Sequence, residues 1–327
     1  MPINLNKLKA SSNKDKTIGE KPAIPPTAPT PFIDKLSLVL TPPEHHQHDI
    51  YNGFFTVLDD PDQFVNAGSK SKWGEFKMAK RIVIPSVVDQ KKFPLLQVAW
   101  AGKKITKMRL EFVPVDLGPD GMVELHAALT AVGHNGWNYW FLHGRITRID
   151  VAVDLQGVEM NEFLCLPQQG MTTMQWKVDG QLETYIQGKK TGNQTAIYSR
   201  DKKRLAKKQN WTGAPVVRAE RRLRHPPVKS LKDLPGMEQP FKGMDLVTTL
   251  NEPPAGEPKT YIWELFKHAA TSQSLAVALS LLPPEKRQVY RTHIEAQVQP
   301  WWNPAAFWAN WPKMLDELKI SSATALS

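Results

Sequence analysis

Along residues 145–155, RITRIDVAVDL, apolar and polar positions alternate with a period of two, the pattern of a β-strand whose successive side chains point to opposite faces. Ile149, Val151, Val153 and Leu155 make an aliphatic face suited to packing against helices; Arg148, Asp150, Ala152 and Asp154 make the other. Two more stretches repeat the arrangement. KMRLEFVPVDL, 107–117, sets Met108, Leu110 and Phe112 against Arg109, Glu111 and Val113. VVRAERRLR, 216–224, sets Val217, Ala219, Arg221 and Leu223 against Arg218, Glu220, Arg222 and Arg224. Each of the three strands carries a carboxylate on its charged face.

Further strands are expected at Lys35–Leu40, in a hairpin built from 81–88 and 95–100, and in a second hairpin within 183–204. In that second hairpin TYIQ and QTAIYSR flank a turn rich in Gly, Lys and Asn. Residues 120–133 read as a helix with an acidic first turn and a closing Gly, and 201–209 as a basic helix. Residues 161–169 read as a helix or a loop, and the histidines of HHQH, 45–48, as part of a turn entering a helix rather than a metal site. The order predicts an α+β fold: one antiparallel-rich, RRM-like sheet with helices on one face. A small α-helical C-terminal module follows, with Trp263, Trp301, Trp302, Trp308 and Trp311 as core or partner surface and Pro283–Pro284 at a helix start. The domain boundaries read as a disordered basic Pro-rich tail over 1–34, a catalytic domain over 35–226, a Pro- and Gly-broken linker over 227–259 and the helical module over 260–327.

Composition narrows the class. An apolar fraction of 41% with eleven Trp allows a substantial core, and no run of 18 apolar residues offers a membrane span. The N-terminus lacks the apolar stretch of a signal peptide. The single cysteine, Cys165, excludes an internal disulfide and a Cys-based zinc cluster, and suits a cytoplasmic protein. There is no Gly-rich phosphate loop and no internal repeat. The net charge of +10 is concentrated: Lys189 to Lys232 holds fourteen Lys or Arg against Asp201 and Glu220, a local +12 in 44 residues. Such a field points to a polyanion, nucleic acid first.

The open face of the sheet is expected to display Glu111, Asp150, Asp154 and Glu220 beside Arg218 and Arg222, the carboxylates close enough to serve a shared cation. Gathered carboxylates repel unless a divalent cation offsets them, and an all-oxygen set suits Mg²⁺ or Mn²⁺, so these four are the candidate metal ligands. Tyr198 lies in the same charged field beside Arg200, Lys202 and Lys203. A tyrosine hydroxyl can attack a phosphodiester, but with an ordinary pKa of about 10 it needs a base, a metal or nearby cations. Tyr198, Arg200 and Lys202 form the candidate catalytic set, with Tyr290 in RQVYRTH as the alternative nucleophile; a half-buried strand aromatic is the plainer reading of Tyr198. Lys189, Lys190, Lys203, Arg204, Lys207, Lys208, Arg218, Arg222 and Arg224 are the candidate DNA contacts.

MRLEFVP, RITRIDVAVDL, TYIQGKKTGNQTAIYSRDKK and VVRAERRLR, in this order over roughly residues 36–226, resemble the successive motifs of the replication initiation factor family, the rolling-circle initiators of plasmids, integrative elements and filamentous phages. The resemblance implies the rolling-circle initiator catalytic fold and a sequence-specific DNA nickase with a Tyr nucleophile and a divalent metal. Origin DNA, duplex with a single-stranded nick region, is the implied partner, and a homodimer and a host helicase are compatible with it. A catalytically silent origin-binding protein is the second reading. An RNA-binding RRM is disfavoured because strand-borne aromatic pairs for base stacking are missing.

Overall fold

The computed structural model describes residues 29–68, 74–133, 136–166, 171–206, 208, 210–247, 250, 252–257 and 261–321. The expected 1–34 tail lies almost wholly outside them. Ten strands form one antiparallel sheet: β1 (Phe32–Leu40), β2 (Phe64–Asn66), β3 (Met78–Ile82), β4 (Leu95–Ala101), β5 (Lys104–Phe112), β6 (Arg145–Gln156), β8 (Thr173–Val178), β9 (Gln181–Gln187), β10 (Gln194–Ser199) and β11 (Val216–Leu223). A separate short pair joins β7 (Leu164–Leu166) to β12 (Asp245–Val247). The order across the large sheet is β2-β3-β4-β5-β1-β6-β11-β10-β9-β8.

This order has an internal logic that the sequence hides. In each half the first strand, β1 or β6, sits at the centre, the last strand of that half, β5 or β11, pairs with it, and the earlier strands run outward. The two halves meet where β1 pairs antiparallel with β6. The aliphatic faces read from the alternation point into one core: Leu36, Leu38, Met108, Leu110, Phe112, Ile149, Val151, Val153 and Leu155 are all buried. Helices α1 (Glu44–Val57), α2 (Pro114–Val132) and α3 (Gly136–His143) pack on the β5 and β1 side of that core. The α1 helix includes the HHQH histidines; His46 bonds the Tyr139 hydroxyl at 2.9 Å and His48 the Lys103 carbonyl at 3.1 Å, so the histidines turn to separate partners.

Within residues 227–259, expected as a linker, Leu231, Leu234, Met237, Phe241, Met244 and Leu246 are buried in the main core. Trp indoles from the C-terminal segment donate to three backbone carbonyls of this Pro-rich stretch. Trp302 donates to the Met244 carbonyl at 2.6 Å, Trp308 to Met237 at 2.9 Å and Trp311 to Leu234 at 2.8 Å. The helical module is likewise divided. Helices α5 (Tyr261–Ser272), α6 (Leu275–Leu281) and α7 (Pro284–Glu295) enclose a second cluster around Trp263, Phe266 and Tyr290, whereas Phe307 of α8 (Pro304–Trp308) and Trp311 of α9 (Trp311–Glu317) return to the main core. No helix of the described residues is long and apolar enough to cross a membrane.

Candidate functional site

The polar face of the sheet is built by register. Opposed residues in an antiparallel ladder project to the same side. The pairings Asp154↔Arg218 and Arg218↔Tyr198 therefore form one row, and Asp150↔Arg222 and Arg222↔Gln194 another, with Ala152↔Glu220↔Ala196 between them. On the neighbouring half, Arg148↔Ser37 and Ser37↔Glu111 continue the face.

Every carboxylate on this face is held by a cation from the same sheet or from α4 (Arg200–Ala206). Arg148 donates its Nε and one terminal nitrogen to the two oxygens of Asp150 at 2.9 and 2.6 Å. Arg222 does the same to Glu220 at 2.8 and 3.0 Å. Arg218 grips Asp154 at 2.6 and 2.9 Å and reaches Asp34 with its third nitrogen, and Arg200 adds a third bond to Asp154. Glu111 takes Lys35 on one oxygen at 2.5 Å and Arg109 on the other at 3.2 Å. The Arg148–Asp150 and Arg222–Glu220 forks form because residues two apart on a strand are neighbours on one face, and the Arg218–Asp154 fork because the two are directly opposed on β11 and β6.

Two physical features of the face stand against one cation shared by all four carboxylates. Asp150 and Asp154 are four residues apart on β6, about 13 Å at roughly 3.3 Å per residue, too far to ligate one ion. The charge repulsion that a metal was invoked to offset is already offset by arginines. Among the described residues no three His, Cys, Asp or Glu side chains gather as a metal-holding group. Asp150, Asp154, Glu220 and Glu111 as arranged do not fit Mg²⁺ or Mn²⁺.

Tyr198, on β10, follows Arg218 in the row that begins at Asp154. It is 6% exposed, and the Lys203 ammonium stands over its ring at 4.0 Å. Burial, reinforced by the charge of Glu220, pushes its phenol above the ordinary value against the pull of Arg218. Arg200 joins the row through Asp154, but the Lys202 ammonium is engaged by Gln181 at 3.1 Å and Glu183 at 3.9 Å on β9. Tyr290 is buried in the α5–α7 cluster, away from the sheet face. Lys189 and Lys190 are exposed in the β9–β10 turn, and Lys203 and Lys208 are exposed in and after α4. Arg204 stacks over the Trp211 ring at 4.7 Å, and Arg224 is half-buried on the edge of the face; Lys207 lies outside the described residues. Arg218 and Arg222, expected as phosphate contacts, are engaged by carboxylates.

Asp34 was missed by the sequence reading. It sits at a register shift of β1 between Ile33 and Lys35, which directs it to Arg218. Burial raises its carboxyl pKa, Glu220 and Asp150 adding to the rise, against Arg218 and Arg200. The signal was the apolar pair Phe32–Ile33, which extends β1 past the proline-rich stretch.

No family model matches the chain, and no curated protein matches it. Among solved structures, a rolling circle replication initiator protein from Geobacillus stearothermophilus is similar over 76% of this chain and 98% of that chain, at 13% identity and a TM-score of 0.37. A likeness of that size carries no functional argument.

Proposed function

We propose that this chain is a DNA replication initiator that binds origin DNA over the charged face of its sheet and nicks one strand through the Tyr198 hydroxyl. The observation that carries the reading is the row of Tyr198, Arg218 and Asp154 with Arg200 and Lys203 of α4 above it: a hydroxyl nucleophile amid cations. In the reaction the phenol oxygen bonds to phosphorus and the bond to the 3′ oxygen breaks, leaving a 5′-phosphotyrosine and a free 3′ hydroxyl. The phosphodiester energy is kept for rejoining. The phenol is protonated at neutral pH, so its proton passes to solvent as the new bond forms, and the departing 3′ oxygen takes a proton from solvent. Arg200 and Lys203 offset charge on the five-coordinate phosphorus.

The burial of Tyr198 favours a second reading, a catalytically silent origin-binding protein on the same face. One experiment separates them. Purified protein is incubated with supercoiled origin plasmid, with and without Mg²⁺ or Mn²⁺, and relaxed DNA carrying covalent protein is sought. Adduct mapped to Tyr198 by mass spectrometry and lost in Tyr198→Phe, with origin binding retained, supports nicking. Adduct at Tyr290 overturns the assignment, and tight origin binding without relaxation establishes the silent reading.

A further inference from the structure

Strand β8 is the edge of the sheet beyond β9, and its outward residues are apolar: Met174, Trp176 and Val178 are exposed, Trp176 by half of its surface. Edge strands are ordinarily blunted by charge or proline, so an exposed Trp on one calls for a partner. Register says which face it serves. Trp176 opposes Thr184, Thr184 opposes Tyr198, and Tyr198 opposes Arg218, so Trp176 projects to the same side as the tyrosine. The distance is two strand spacings, about 10 Å. Met174 opposes Ile186, which opposes Ala196, so the adjacent row is also apolar up to Glu220.

The face thus ends in two kinds of surface side by side: an apolar platform at β8–β9, and cations from Arg200 and Lys203 of α4 around Tyr198. Unpaired DNA has the complementary chemistry, a phosphate backbone for the cations and bare aromatic base faces for the platform; a duplex hides those faces. We propose that Trp176, flanked by Met174, is a stacking platform for unpaired bases of the DNA strand whose backbone crosses the cations at Tyr198. This rests on the DNA reading above and deepens it. The register positions the platform to hold a base within a few nucleotides of the phosphate presented to the tyrosine.

The test uses fluorescence anisotropy of labelled oligo(dT), oligo(rU) and a duplex hairpin with the full chain, Trp176→Ala and Trp176→Phe, after thermal melts confirm that the half-exposed site tolerates the change. Loss of an aromatic base stack should weaken oligo(dT) binding about 5- to 150-fold in the alanine variant. The phenylalanine variant should keep most of the affinity, and duplex binding should stay within about twofold. The salt dependence should be unchanged, because no cation is removed. Unchanged oligo(dT) affinity in Trp176→Ala, while the full chain binds oligo(dT) and duplex, overturns the platform and leaves the DNA reading intact. Equal loss on duplex and oligo(dT), a preference for oligo(rU), or a concentration-dependent dimer abolished by Trp176→Ala also overturns it. A full chain that binds no DNA in any form overturns both.

Discussion

Replacing Arg218 by Met should cost the fold about 3 kcal/mol at pH 7. The guanidinium is 5% exposed and ties three strands together, gripping Asp154 on β6, reaching Asp34 on β1 and lying over the Phe32 ring at 4.7 Å. Removing one partner of a buried ion pair costs about 3–5 kcal/mol, because a carboxylate is left uncompensated. Here part of that loss is relieved. Met keeps most of the volume, Asp154 retains Arg200, and Asp34, already shifted upward, can take a proton. At roughly 2.1 cal/mol/K of unfolding entropy per residue, 3 kcal/mol in 327 residues lowers Tm by about 4 °C. The loss should depend on pH with a definite sign. Without Arg218 the folded-state pKa of Asp34 rises further above its unfolded value. Stability from its protonation is then present below the unfolded value and lost as pH rises through the folded one, so the deficit is largest near pH 7 and shrinks toward pH 4.5. Urea unfolding followed by circular dichroism at both pH values measures it. A deficit under about 1 kcal/mol, or one equal at the two pH values, would refute the hub role of Arg218.

Four further outcomes are expected. His126 of α2 is buried against the Trp137 ring at 4.5 Å, its Nε2 has no hydrogen-bond partner, and burial pushes its pKa down to about 4. Its depressed folded pKa makes stability complete above about pH 6.5 and lost as pH falls toward 4, by up to about 3 kcal/mol; His126→Phe should flatten that part of an acid-unfolding curve. Gly53→Ala should destabilise α1 by about 1–3 kcal/mol in thermal melts although Ala is the better helix former, because the new Cβ would lie 2.3 Å from the Val132 carbonyl oxygen. Exchanging Lys189, Lys190, Lys203 and Lys208 for Gln should reduce the slope of log DNA affinity against log salt by up to about 0.9 per lysine; an unchanged slope would move the phosphate footprint elsewhere. Adding Mg²⁺ or Mn²⁺ to EDTA-treated protein should leave its Tm unchanged, whereas a saturable rise would mean that the arginines yield their carboxylates to the ion.

Much of the sheet was legible from residue order because alternation is a local property of the backbone. A period of two in 107–117, 145–155 and 216–224 is enough to assign β5, β6 and β11 and to separate their aliphatic from their charged faces. Even the in-strand ion pairs were written there, as Arg109 and Glu111, Arg148 and Asp150, Glu220 and Arg222, each two residues apart. Which strands lie side by side is not local. Arg218 meets Asp154 from 64 residues away and Asp34 from 184, and only the pairing of β1 with β6 and β6 with β11 brings them to one guanidinium. The carboxylates therefore looked like a metal site when counted and became ion pairs when placed. The Pro-rich stretch after β11 looked like a linker because breaks are visible in sequence, whereas Leu231, Leu234 and Phe241 gain their meaning from Trp302, Trp308 and Trp311 packing against the same segment. Strand β8 stayed unread because TMQWKV turns apolar residues outward, and only its place at the sheet edge, two strands from Tyr198, gives Trp176 a surface to share. Strand order sets neighbours and desolvation, and these depend on contacts between residues that the one-dimensional pattern keeps apart.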